Sequence, residues 1–236
     1  MKDKLLSSLK PLYTEMMASI TIDEDVDLVP FCLQWGRSFP SEQNTGILFV
    51  GRATNGWVSS SRDPDVLFGD SEKKIFARED QMRWVHLHEG NKHYNTRSSA
   101  FWRVIKGVTT AIYGAKDWYT KIAWSNLYKV SYGKGGNPDH QLIKDQYEIC
   151  KKILQTEIEI LSPRFVVFLT ADWEEDFVFY LNGNKECDWI ETHQWAGKNE
   201  TNLCVINNTV IISSHHPQGK NEYNHIKTIV DIIKRY

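Results

Sequence analysis

Ile47-Leu48-Phe49-Val50 running into Gly51-Arg52-Ala53-Thr54-Asn55-Gly56-Trp57 is the stretch on which the fold turns. A continuous apolar run bounded by turn residues reads as a strand covered on both faces, the kind found in parallel sheets packed by helices. Two further runs repeat the pattern. Ile122-Ala123-Trp124-Ser125 leads into Asn126-Leu127-Tyr128-Lys129, and Val210-Ile211-Ile212-Ser213-Ser214 leads into His215-His216-Pro217-Gln218-Gly219-Lys220. A fourth run, Phe165-Val166-Val167-Phe168-Leu169, follows a helix break at Ser162-Pro163. In sheets of this kind ligands bind beyond the carboxyl ends of the strands, so loops distant in sequence are expected to meet at one rim.

Helical spacing fills the intervals between these runs. Leu5, Leu6, Leu9, Leu12, Met16 and Met17 predict an amphipathic helix over 5–20 in spite of Pro11. Ser98-Ser99 caps a helix that stops near Gly114, and Ile143 to Leu161 marks a long one. Residues 173–181 and 223–233 supply two more helices. A short strand over 203–206 is expected to pair with 210–213 across Asn207-Asn208, after a loop over 182–199. The polar stretch 59–95, with turn signals at Asp63-Pro64 and Phe68-Gly69-Asp70, reads as a long excursion with one short helix over 75–86. Excursions of that size are commonly functional or mobile. Together these signals predict one α/β domain over 1–236, a three-layer α/β/α sandwich around a central, mainly parallel four-stranded sheet.

The bulk numbers exclude several classes. With 28 Lys and Arg against 30 Asp and Glu, the formal charge is −2. A nonspecific nucleic-acid coat would be more basic, although a local basic patch suffices for an enzyme that grips a short stretch of DNA. No run is long enough to span a bilayer, and the first residues lack a signal-peptide core, so no membrane partner and a cytoplasmic location are expected. Cys32, Cys150, Cys187 and Cys204 are scattered without a CxxC pair. That spacing favours reduced thiols over a disulfide framework and argues against zinc or an iron–sulfur cluster.

The loops carry the chemistry. The 51–57 loop has no GxGxxG and no Walker lysine, so it is not a nucleotide-cofactor loop of either kind. Gly51, Ala53 and Gly56 also suit a tight turn on backbone grounds alone. Asn126 ends a strand and offers a donor pair beside an acceptor, which matches the O4/N3–H edge of a uracil-like base and equally suits an amide that holds a neighbouring loop. His215 and His216 point to opposite faces, so one of them at most faces a cleft directly, where it can donate to an oxygen gaining charge. The HxH spacing of His86 and His88 reads as surface.

In this order the segments resemble the uracil-DNA glycosylase superfamily, from about Gly46 to the C-terminal helix. The 47–56 stretch resembles a strand followed by G-x-D/N/A-P-G, with Ala53 on the variable position. Ser99-Ala100-Phe101-Trp102-Arg103-Val104-Ile105 is similar to the N-x-F-W-K-V/C-L helix of the mismatch-specific members. Ser125-Asn126-Leu127-Tyr128-Lys129 resembles the T-N-L/M/V-V-K/E segment whose Asn reads the base. Glu157-Ile158-Glu159-Ile160-Leu161-Ser162-Pro163-Arg164-Phe165-Val166-Val167 is similar to a helix–strand joint of the family. His216-Pro217-Gln218 stands at the H-P-S motif.

The resemblance implies excision of a flipped uracil-type or damaged base from single-stranded or mismatched DNA, without metal or other cofactor. Trp57 or Phe68 would stack on the base, Asn126 would read its edge, and Gly51, Arg52, Ala53 and Gln218 would line the pocket. Asn55 would position the attacking water, and His216 would stabilise charge on the departing base. Lys129, Lys134 and Lys220 would meet phosphates. The chain also departs from the pattern. Thr54 replaces the Pro of the first motif, Arg52 stands where some families carry an acid, and no Asp or Glu lies in that loop. The apolar wedge after the second motif is replaced by Lys220 and Asn221. These departures point to two alternatives: a non-catalytic nucleotide or nucleic-acid binding module, or an enzyme acting on a free nucleoside or other small substrate.

Overall fold

The computed structural model describes residues 1–40, 46–88 and 95–236. The elements run α1 (Lys2–Ser19), β1 (Leu28–Pro30), β2 (Gln34–Trp35), β3 (Ile47–Gly51), α2 (Pro64–Phe68), α3 (Glu79–Leu87) and α4 (Ala100–Tyr113). They continue β4 (Ile122–Asn126), β5 (Val130–Tyr132), α5 (His140–Leu161), β6 (Phe165–Leu169), α6 (Glu175–Leu181), β7 (Glu191–Trp195), β8 (Asn199–Ile206), β9 (Thr209–Ser214) and α7 (Glu222–Arg235). The contacts gather into two compact units. One comprises Met1–Leu33, Arg52–Arg78 and Ser125–Ser162; the other comprises Gln34–Gly51, Glu79–Trp124 and Pro163–Tyr236.

A sheet of order β2-β4-β3-β6-β9-β8-β7 organises the second unit. The four expected runs are its consecutive central strands, and β3, β4 and β6 are buried at every position. β3 pairs parallel to β6, with Ile47 opposite Phe165, and β6 pairs parallel to β9, with Phe165 opposite Val210. The sheet has seven strands rather than four and is mixed: β2 runs antiparallel to β4, β8 to β9, and β7 to β8. Of the three added strands, β8 is the expected 203–206 strand, extended back to Asn199 and paired with β9, while β2 and β7 are too short or too polar to carry a buried-strand signal. The hairpin between β8 and β9 turns at Asn207 and Asn208, both at positive φ (48° and 69°), a conformation that Asn tolerates better than most residues.

On the same unit α4 packs against α7, and Arg103 donates from Nε and Nη2 to the two carboxylate oxygens of Glu222. A Cβ at Gly107 would lie 2.4 Å from Ile226 Cδ1, so a larger residue there would force that side chain to move. The expectation of reduced thiols holds for Cys32 and Cys150 and is corrected for the other two cysteines. Cys187 and Cys204 form a disulfide that ties the segment before β7 to buried β8, a pairing that their 17-residue separation does not announce.

In the first unit α1 lies along α5. Leu5, Leu9, Tyr13 and Met16 form its buried face, while Pro11 is on the exposed side of the continuing helix. β1 and β5 form a two-stranded antiparallel sheet.

In the 59–95 excursion the expected short helix is present as α3, and the reading of the rest as a polar loop is corrected. Asp63 caps α2 and Pro64 opens it, the roles these residues favour at a helix start. Leu67, Phe68, Ile75, Phe76, Met82 and Val85 are buried, so the stretch contributes core. Residues 89–94 of that expectation lie outside the described residues. No described helix is long and apolar enough to cross a membrane.

Candidate functional site

Two of the three strand-end loops are laced together in the first unit. Tyr128 N donates to Arg52 O (2.9 Å) and Ser131 Oγ donates to Thr54 O (2.8 Å). Gly136 N donates to Asn55 Oδ1 (3.0 Å). Gly135, at φ +84°, leaves room for that carbonyl, since a Cβ there would lie 2.4 Å from Asn55 Oδ1. The peptide of Lys129 and Val130 is held from α5. Gln146 Oε1 accepts from both backbone N–H groups (2.9 Å each), and Gln146 Nε2 donates to Val130 O (2.9 Å).

Asn126 is the last residue of β4, two positions before Tyr128. It is only 2% exposed, and its Nδ2 meets no acceptor among the described residues. A buried donor left unmatched costs about 1–3 kcal/mol. Its backbone carbonyl, by contrast, accepts from Lys129 Nζ at 2.7 Å.

Three expected roles are corrected within this unit. Lys129 is fully buried, with its ammonium bonded to Glu157 Oε2 (2.9 Å), Ser125 Oγ (2.6 Å) and Asn126 O, so it is unavailable to a phosphate. Phe68 is core rather than a stacking platform, packed edge-on to Tyr13 at 5.0 Å and stacked on Phe76 at 5.4 Å. Asn55 is exposed, and its carbonyl clamps the Gly-rich loop instead of standing free to hold a water. Trp57 is half-buried, edge-on to Phe31 at 5.0 Å. Arg52 and Ala53 are half-buried, and Lys134 is exposed with its Nζ 5.5 Å from the Tyr132 ring centre.

The other expected residues belong to the second unit. Gly51 is the buried end of β3. His216 Nδ1 accepts from Gln218 N (3.3 Å) within a turn closed by Lys220 N and Pro217 O (3.1 Å). Gln218 is exposed and Lys220 half-buried. Burial, followed by the charge of Lys220, lowers the pKa of His215, which lies edge-on to Trp195 at 6.2 Å.

Beneath this turn runs a buried polar chain that the loops did not advertise. Trp195 Nε1 donates to Thr201 Oγ1 (2.9 Å), which bonds Ser214 Oγ (2.7 Å), and that hydroxyl bonds His225 Nε2 (2.8 Å). Nearby, Glu174 accepts from the hydroxyls of Thr170 and Ser213, and burial pushes its carboxyl above the usual range.

Glu157 and Gln146 were also missed, although they left a signal. Both fall on the apolar stripe of α5 with Ile149, Cys150, Ile153 and Leu154, where a polar residue needs a buried partner. Burial raises both free thiols, Cys150 to about 12, so neither supplies a nucleophile at neutral pH. No cluster of His, Cys, Asp or Glu suited to a metal ion occurs among the described residues. The chain matches no protein-family model, and comparison with curated proteins yields no match.

Proposed function

We propose that the chain is a uracil-DNA glycosylase-like protein that takes a flipped uracil-type or damaged base from DNA against Asn126 and hydrolyses its N-glycosidic bond. The supporting observation is the buried, unmatched Nδ2 of Asn126 on a peptide whose carbonyl is already held. The amide sets a donor beside an acceptor, the complement of a uracil O4/N3–H edge. Flipping costs a few kcal/mol, least for a mismatched or unpaired base. Water bonds to the sugar carbon as the base departs with the bonding pair, and the proton that the water sheds ends on the departing base or on solvent. His216 enters this reading from the sequence alone, as donor to the base oxygen that gains charge.

A second reading, uracil-selective binding without hydrolysis, is favoured by one observation: the Asn55 carbonyl is engaged by Gly136 N. Single-turnover incubation with single-stranded and mismatched uracil DNA separates the two. The proposal expects an abasic product, a chemical step slowed by about 2.7–4 kcal/mol in His216→Ala, and lost base selection in Asn126→Ala. Selective binding without product leaves the second reading standing. Absence of any preference for uracil overturns both.

A further inference from the structure

The Lys129–Glu157 pair is an expensive thing to bury. Both side chains are fully buried, and Glu157 Oε1 meets no donor among the described residues. A buried ion pair with an unmet oxygen seldom adds stability over apolar residues of the same volume. Its geometry shows a different use. The three donors of the ammonium are all spent, on Glu157 Oε2, Ser125 Oγ and the backbone carbonyl of Asn126. Ser125 Oγ in turn donates to Glu157 Oε2 (2.6 Å), so the residue before Asn126 is tied to the same carboxylate. Beyond Asn126, Tyr128 N is fixed on Arg52 O. Every anchor around this residue grips its neighbours or its carbonyl, while its side-chain donor is left unmatched.

We infer that Lys129, held by Glu157 and Ser125, is the positioning residue that aims the Asn126 amide and thereby sets selectivity for a uracil-type edge. This inference rests on the proposed base-reading role of Asn126 and names the specificity device of that site. A compact ammonium with three rotatable donors can grip two hydrogen-bond acceptors and a counter-charge at once.

The test compares the wild-type chain with the double variant Lys129→Met, Glu157→Leu, which removes both charges at similar volume. Lys129→Met alone would strand a buried carboxylate and unfold the chain, so it discriminates nothing. The probe is a short single-stranded oligonucleotide with one uracil, set against the same strand with cytosine there. The double variant is expected to keep a cooperative melting transition and its affinity for the cytosine strand. Its preference for uracil falls by about tenfold, the scale of one charge-assisted hydrogen bond. If the double variant loses its transition, Lys129→Met with Glu157→Gln, which keeps an acceptor for Ser125, is read the same way. A preference that survives in the folded variant overturns the positioning role alone. A wild-type protein without the preference overturns the Asn126 assignment and this role together.

Discussion

His225 is buried without a charge partner. Its Nε2 bonds Ser214, its ring stacks on Trp195 at 4.4 Å, and its Nδ1 meets no partner among the described residues. Desolvation, then the nearby charges of His215, His216 and Lys220, pull its pKa down to about 3. The unfolded chain, with a histidine pKa near 6.5, therefore takes up its proton first as the pH falls. This contribution is complete above about pH 6.5 and drains away toward pH 3, at up to about 1.4 kcal/mol per pH unit. Denaturant unfolding of wild type and His225→Gln from about pH 7 to about pH 4 should show the shallower slope in the variant. Parallel slopes would remove His225 as the titrating group.

At the level of elements, Cys187–Cys204 ties the segment before β7 to its partner strand β8 in the edge hairpin. Closing a loop of this length restricts the unfolded chain by roughly 3 kcal/mol in the loop-entropy account. Thermal unfolding of Cys187→Ala, or of wild type with reductant, should show a loss on that scale, and an unchanged midpoint would make the bond incidental. This edge also marks where sequence reading stops working. β3, β4, β6 and β9 were legible because each is an unbroken apolar run, and α4, α5 and α7 because their apolar residues recur at helical spacing. β7 was not, since Glu-Thr-His-Gln-Trp is polar at nearly every position, and β1 and β2 span too few residues to show any period. Asp63-Pro64 was read as a turn although the pair caps and opens α2. Near the candidate site, the place of Asn126 at the end of β4 was legible from the apolar run before it. The burial of Lys129 was not, because its partner Glu157 stands 28 residues further on in α5.

For the molecule as a whole, charge limits how nucleic acid could be held. The chain is formally −2, and the burial of Lys129 removes one of the three cations expected to form a basic patch. Of the two that remain, Lys134 is exposed and Lys220 half-buried. Lys134→Ala should therefore flatten the logarithmic salt dependence of oligonucleotide affinity by about 0.7, the single-strand value for one phosphate contact. An unchanged slope would take Lys134 out of the interface. Segments of the two units alternate along the sequence, changing from one to the other after Leu33, Gly51, Arg78, Trp124 and Ser162. A polypeptide emerging from the ribosome can complete neither unit early: the first waits for α5, and the second waits for the last helix. Contacts so distant in sequence make folding slow, and no single proteolytic cut releases a fragment that contains a whole unit and nothing else.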